Sequence, residues 1–184
     1  MIRNERWKTE EEEFDALSVM SNISRYNTRY RIKNESVAAH SFYVMWFVSN
    51  ICSELGVGPD ITSLALEAAL VHDMPEIYIN DVTYDCKKMI PGLNSILAEY
   101  EIDILNSLST TAAKVLFYPE TMEEKIAGAI VRYADVVSVK QYSQSEIKLG
   151  NKSFLEILKG AEDRLNEISY ELTTLLIEGG YFNA

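Results

Sequence analysis

The sequence predicts an all-α protein folded as one domain over residues 1–184, on three observations. Gly and Pro together supply only 12 of 184 residues, roughly half of the ~12% that average usage would give. So few punctuating residues favour long helices over many short strands. Strict apolar–polar alternation, the period of a half-buried strand, is absent from the sequence. Two Thr-x-x-Glu boxes, Thr9 with Glu12 and Thr121 with Glu124, stand just ahead of apolar residues at helical spacing.

The first box opens a helix that carries Phe14, Leu17, Met20 and Ile23. Residues 24–34 are polar and rich in Arg and Tyr, and read as a loop. Ser36 caps a second helix, which runs through Val37, His40, Met45 and Phe47 and stops at Gly56. Gly58-Pro59-Asp60 is a turn, with Asp60 expected to cap a third helix over 61–73. That helix is apolar on almost every side (Leu64, Ala65, Leu66, Ala68, Ala69, Leu70, Val71), which predicts a central position. Pro75 stops or bends it just after His72-Asp73. Residues 77–89 read as a loop with a short helical piece, and Pro91-Gly92 turns the chain again. An amphipathic helix over 93–108 precedes a weakly patterned piece that ends at Phe117. The second box opens a long helix through Ile126, Ile130, Ala134 and Val137 to about Ile147. Gly150-Asn151 closes it, and a last helix covers roughly 153–176.

The formal net charge is −11, a sign that argues against nucleic acid or an anionic membrane surface as partner. The longest apolar stretch, around 42–51, is broken by Ser49 and Asn50 and falls far short of the ~20 residues a membrane span requires. Residues 1–13 are acidic and hold no apolar signal segment, so a cytoplasmic protein is expected. Cys52 and Cys86 lack metal-type spacing and are expected to be unpaired in a reducing compartment.

Only 2 histidines occur. His40 lies mid-helix among apolar residues, as a core histidine or as a metal ligand. His72 is followed at once by Asp73 at the end of the most apolar helix. Asp135 falls in the run Arg132-Tyr133-Ala134-Asp135-Val136-Val137, where a carboxylate is costly to bury unless it is paired or binds a cation. Two imidazoles and two carboxylates from three helices make an N/O ligand set suited to Mn, Fe, Co, Ni or Zn. Adjacent helical residues point about 100° apart, so His72 and Asp73 can share one ion only near a helix end, which Pro75 supplies. Glu76 and Asp81 are acidic residues close by that the quartet does not need. Arg25, Lys87, Lys88 and Arg132 are the cations nearest these elements, enough for a local phosphate pocket inside an acidic chain. Arg29, Arg31 and Lys33 read as solvated loop charge and Tyr133 as packing. Tyr26 reads as a stacking surface for a base or as a core ring.

The order His40, His72-Asp73, Glu76, Asp81, Asp135 on helices resembles the HD-domain metal-dependent phosphohydrolases. Within them, the bacterial YfbR-like 5′-deoxynucleotidases are the closer match. Asn34-Glu35-Ser36-Val37-Ala38-Ala39-His40-Ser41 looks like their E-[NS]-V-A-E-H-S element, with Ala39 where the family has glutamate. His72-Asp73-Met74-Pro75-Glu76, with Asn80-Asp81 after it, is similar to their H-D-x-x-E…x-D element. Arg25-Tyr26 aligns with an Arg-Trp pair that contacts substrate, Lys87 with a lysine that meets phosphate, and Gly150-Asn151 with an A-G-N turn. The compact chain is also similar to phage HD-domain dATP triphosphohydrolases, which share the quartet and place a cation where Arg132 stands. The resemblance covers about residues 24–154.

It implies a single HD-domain helical bundle that hydrolyses (deoxy)nucleotides. The leading expectation is a 5′-nucleotidase acting on deoxynucleoside monophosphates. A dNTP triphosphohydrolase is the alternative, and a non-enzymatic helical metal-binding protein the third reading. His40, His72, Asp73 and Asp135 would hold a divalent ion (Co, Mn, Mg, Zn, Ni or Fe). Glu76 would orient or deprotonate the attacking water, and Asp81 would act as general acid or bind a second metal. Arg25, Tyr26, Lys87 and Arg132 would bind the nucleotide. A homo-oligomer without nucleic-acid or membrane partner is expected.

Overall fold

The computed structural model describes residue 7 and residues 9–182. Thr9 opens α1 (Glu10–Asn22) with a reciprocal cap: its hydroxyl accepts from the Glu12 N–H and the Glu12 carboxylate accepts from its own N–H. Ser36 caps α2 (Val37–Leu55), and Gly56, at φ 64°, ends it in the left-handed region that glycine adopts without cost. The third helix, α3 (Pro59–Val71), begins two residues earlier than expected. Pro59 takes its first position, where a fixed φ and a missing N–H do no harm, so Asp60 lies inside the first turn and caps nothing.

The chain then turns through 72–75 into the short α4 (Glu76–Ile79), and α5 (Tyr84–Met89) follows, so two helical pieces rather than one fill this stretch. After α6 (Leu93–Leu108), the weakly patterned segment is a true helix, α7 (Thr110–Phe117), capped by the Ser109 hydroxyl on the Ala112 N–H. The second capping box opens α8 (Met122–Lys148), and a single 3₁₀ turn over Lys152–Phe154 leads into α9 (Leu155–Glu178). No helix among the described residues is long and apolar enough to cross a membrane. Cys52 and Cys86 are both free thiols.

The central element is α8, about 40 Å long at 1.5 Å per residue, which packs on α2, α3, α7 and α9. The apolar α3 is less central than its composition predicts. Ala65, Ala68 and Ala69 are fully buried, whereas Glu67 and Leu70 face outward. Small side chains bring α3 close to α2 and α8, and these are the helices that carry the histidines and Asp135. At Gly128 the approach is closer still, because an added Cβ would lie 2.5 Å from the Val115 carbonyl oxygen of α7.

Between α1 and α2 the loop closes on itself. The Arg25 N–H donates to the Glu35 carbonyl (2.9 Å) and the Val37 N–H to the Ile23 carbonyl (3.0 Å), around an antiparallel bridge between Ser24 and Ser36. Glu146, fully buried near the end of α8, holds the far side of this loop. Its carboxylate accepts from the Ile32 N–H (2.8 Å), the Lys33 N–H (2.7 Å) and the Asn151 side-chain amide (2.7 Å). Asn151 also donates to the Tyr30 carbonyl (3.1 Å), and the Tyr142 hydroxyl donates to that of Lys33 (2.6 Å).

Replacing Glu146 by Ala strips two part-buried loop N–H groups and the buried Asn151 amide of a charged acceptor, at about 1.5–3 kcal/mol for each such bond. We expect chemical denaturation to show a loss of about 3–5 kcal/mol, with faster amide exchange at Ile32 and Lys33. A loss under about 1 kcal/mol would mean that other contacts hold the loop.

Candidate metal centre

α2, α3 and α8 bring His40, His72-Asp73 and Asp135 to one point. His40, fully buried at the start of α2 rather than mid-helix as the sequence suggests, sets its Nε2 3.0 Å from Asp135 Oδ1 and 3.5 Å from Asp73 Oδ2. His72 Nε2 lies 3.3 Å from the same Asp73 oxygen, and the two imidazole rings are 5.4 Å apart. Adjacent residues reach one point here because α3 ends at His72. The turn after it is tied by the Met74 N–H on the Val71 carbonyl and the Glu76 N–H on that of Asp73 (both 3.0 Å). Ligand atoms of His40, His72 and Asp73 all lie within 4.8 Å of one another. Asp135 is less buried than its apolar neighbours suggest, with 38% of its side chain exposed, and it lies on the side open to a ligand.

The arrangement holds more negative charge than its histidines neutralise. Burial pushes the Asp73 carboxyl up, but His72, His40 and Arg25 outweigh it and hold the group well below the usual carboxylate range. Desolvation likewise raises Asp135, and contact with His40, with help from His72 and Arg25, brings it below its ordinary value. Burial lowers His72, yet Asp73, Asp135 and the Ala69 carbonyl lift it to about 9. Its Nδ1–H donates to that carbonyl (2.8 Å), which leaves Nε2 as the lone-pair nitrogen whenever the ring is neutral. Neither Nε2 forms an aligned hydrogen bond with any described residue, although both are buried. Two orphaned imidazole nitrogens facing two carboxylates fit a divalent cation.

Glu76 and Asp81 stand beside this group. Burial, then Asp73 and Asp81, pushes the Glu76 carboxyl up to about 9, and its Oε2 is buried without a partner among the described residues. Asp81 has one oxygen engaged: Oδ2 accepts from the Tyr26 N–H (3.1 Å), and its carbonyl accepts from the Asn27 amide (3.0 Å). Tyr26 and Asn80 both adopt φ 57°, a conformation that costs non-glycine residues about 1–3 kcal/mol each, and Asp81 holds the first through the Tyr26 N–H while the Glu76 carbonyl accepts from the second.

The four expected nucleotide contacts are placed differently from one another. Arg25 reaches the centre, with Nη1 2.5 Å from His40 Nδ1. Burial lowers its pKa, but Tyr26, Asp73, Asp135 and Glu35 more than compensate and raise it above its ordinary value. The Tyr26 ring stacks on Tyr142 (4.9 Å, 4° between planes) and meets Phe154 edge-on, with the Arg25 guanidinium 5.5 Å from its centroid. Lys87 pairs with Glu101 of α6 (3.7 Å) at the rim, where Asp73's charge adds to burial in raising the Glu101 carboxyl against Lys87. Arg132 pairs with Glu171 of α9 (2.5 Å). Among the described residues, neither cation makes a hydrogen bond or ion pair with the quartet.

Sequence reasoning gave no role to two residues that touch His40. Ser138 Oγ lies 3.1 Å and Glu35 Oε1 3.6 Å from its Nδ1. Ser138 could have been found from its i+3 spacing to Asp135 on one helix face. Glu35 reaches the site only because the loop closes, which local spacing does not show.

Comparison with known proteins gives the family and the fold. A model of the YfbR-like 5′-deoxynucleotidase family matches residues 13–179. The chain is 24% identical over 164 residues to the 4′-phosphooxetanocin A phosphatase of Priestia megaterium, covering 85% of this chain and 84% of that protein. Its fold is similar to an HD-domain phosphohydrolase from Listeria innocua (TM-score 0.65, 22% identity, 91% of this chain and 84% of the other). It is also similar to the cyanophage S-2L HD phosphohydrolase DatZ, solved with dA and one catalytic Zn²⁺ (TM-score 0.62, 17% identity, 89% and 96% covered). With most of its length under that family model and an all-helical fold shared with HD-domain enzymes, the chain belongs to the YfbR-like 5′-deoxynucleotidase family of phosphohydrolases.

Proposed function

We propose that the protein is a divalent-metal-dependent 5′-nucleotidase that cleaves deoxynucleoside monophosphates to nucleoside and inorganic phosphate. One observation carries this reading. Ligand atoms of His40, His72 and Asp73 lie within 4.8 Å of one another, beside Asp135, in a chain that a 5′-deoxynucleotidase family matches. His40, His72, Asp73 and Asp135 would hold the cation, which when bound supplies a Lewis acid for a phosphoryl oxygen and acidifies water. Imidazole and carboxylate suit Co, Mn, Mg, Zn, Ni and Fe alike, so the donor set admits each of them.

The chain's own residues divide the remaining work. A water oxygen forms a bond to phosphorus, the bond from phosphorus to the 5′-oxygen breaks, and that oxygen leaves with a proton. Glu76 is assigned to the water's proton, because its buried Oε2 has no partner among the described residues and a bound cation would bring its carboxyl down from about 9 towards the neutral range. Asp81, with one oxygen on the Tyr26 N–H, is assigned to the leaving oxygen through the other. Arg25 is the fork for the phosphate. Lys87 stands at the rim, and the stacked Tyr26 forms a wall for the nucleoside. Arg132 joins the substrate only by leaving Glu171.

The whole of 1–184 reads as one such domain, in the cytoplasm. Phe42, Tyr43 and Trp46, 63%, 48% and 60% exposed on α2, favour a homo-oligomer. Likeness to DatZ keeps a dNTP triphosphohydrolase as the second reading.

Deoxynucleoside mono- and triphosphates offered with Mn²⁺, Co²⁺ or Mg²⁺ separate the two readings through phosphate release, measured with and without a polyphosphate-degrading enzyme. We expect phosphate from monophosphates without that enzyme, abolished by EDTA and restored by metal. Phosphate from triphosphates only after the enzyme is added would favour the second reading, and a metal-loaded protein that hydrolyses neither would overturn both.

His72→Ala should lower hydrolysis by more than about a hundredfold, and it should also lower the unfolding midpoint, since Asp73 loses the imidazole that offsets its charge. A large stability loss with no hydrolysis to lose would support a purely structural metal instead.

A further inference from the structure

We propose that Glu35 is a positioning residue of this centre, its buried carboxylate orienting His40 towards the metal and Arg25 towards the substrate's phosphate. The inference rests on the metal and phosphate roles proposed above. Glu35 is 4% exposed, just ahead of the Ser36 cap of α2, and neither of its oxygens accepts a hydrogen bond from a described residue. A carboxylate so buried is expensive unless a cation or strong donor offsets it. The groups that face it are Arg25, with Nη1 at 3.8 Å, and His40, with Nδ1 at 3.6 Å.

Backbone geometry explains why Arg25 and Glu35 face each other. They sit next to the Ser24–Ser36 bridge, where the Arg25 N–H donates to the Glu35 carbonyl. Closing the loop therefore sets a fixed cation beside a fixed anion, with His40 Nδ1 against both. Glu146 holds the other side of the loop, so the pair cannot drift together away from α2.

The consequence for the site follows from how imidazole ligands work. A histidine that gives one nitrogen to a metal is oriented by what its other nitrogen meets, and a carboxylate there sharpens both direction and basicity. Nδ1 meets Arg25 Nη1 at 2.5 Å, Ser138 Oγ at 3.1 Å and Glu35 Oε1 at 3.6 Å, and of these Glu35 supplies the negative charge. The same carboxylate holds the guanidinium at the edge of the centre, where an incoming phosphate can take its remaining N–H donors. A salt bridge that only fastened the loop to α2 would have no reason to touch His40.

Metal-stripped wild type, Glu35→Gln and Glu35→Asp should be titrated calorimetrically with Mn²⁺ well below their unfolding midpoints. Steady-state kinetics on dAMP at saturating Mn²⁺ would run alongside. Glu35→Gln should weaken Mn²⁺ binding about ten- to a hundredfold and raise KM for dAMP severalfold, with kcat within about threefold of wild type. Glu35→Asp, which keeps the charge, should lie between the two. Should the Gln variant not fold, Glu35→Asp decides on the same two readouts. Unchanged Mn²⁺ affinity and KM in a folded variant, with only its unfolding midpoint lowered, would overturn the proposal. If the wild type bound Mn²⁺ but hydrolysed no nucleotide, the 5′-nucleotidase reading would fail. Mn²⁺ affinity alone would then judge Glu35, with a weakened Kd supporting its hold on His40 and an unchanged one overturning it.

Discussion

Two carboxylates set against two largely buried imidazoles form the constraint on which the rest of this structure depends. Asp73 and Asp135 cannot both stay ionised beside His40 and His72 without positive charge nearby. The metal-free molecule meets the need by raising His72 and by pressing Arg25 against the group. A divalent cation would meet it better, because it would satisfy both orphaned nitrogens at once. The packing of α2, α3 and α8 on one another is what makes the convergence possible. Small residues on α3 set the helices close, and the end of α3 at His72 lets neighbouring residues share a target.

A second condition is the loop between α1 and α2. It carries Arg25 and Tyr26 to the centre, yet most of its own residues are polar and could not hold a shape unaided. Glu146 and Asn151, far along the chain, supply the acceptors and donors that its backbone needs. This buried hydrogen bonding stabilises a left-handed Tyr26, whose N–H is then directed at Asp81. The two acidic residues next to the quartet thereby differ in kind. Glu76 is half-buried with its Oε2 unpartnered among the described residues, whereas Asp81 is partly committed to the loop.

Much of the helical order was legible because capping is local chemistry. Thr9, Ser36 and Thr121 announce their helices within three residues, and the structure shows each bond. Asp60 misled because a proline at a helix start does the same work without a side-chain cap. α3 looked central because its composition is apolar, but composition does not say which neighbour covers which side, and Leu70 faces outward. The grouping of His40, His72, Asp73 and Asp135 could be anticipated because the chain has only 2 histidines, one of them followed at once by Asp73, and Asp135 stands in an apolar run. Glu146 and the Glu171 partner of Arg132 could not, since those pairings join residues far apart in sequence, and Glu35 could not because its contact depends on how the loop closes.

The account stands on one claim, that this quartet binds the catalytic cation. Crystals grown with Mn²⁺ and measured for anomalous scattering test it most directly. The account predicts a strong anomalous peak bonded to Nε2 of His40, Nε2 of His72 and the carboxylates of Asp73 and Asp135. An anomalous map with no peak there, or with Mn²⁺ bound elsewhere and the quartet empty, would contradict it.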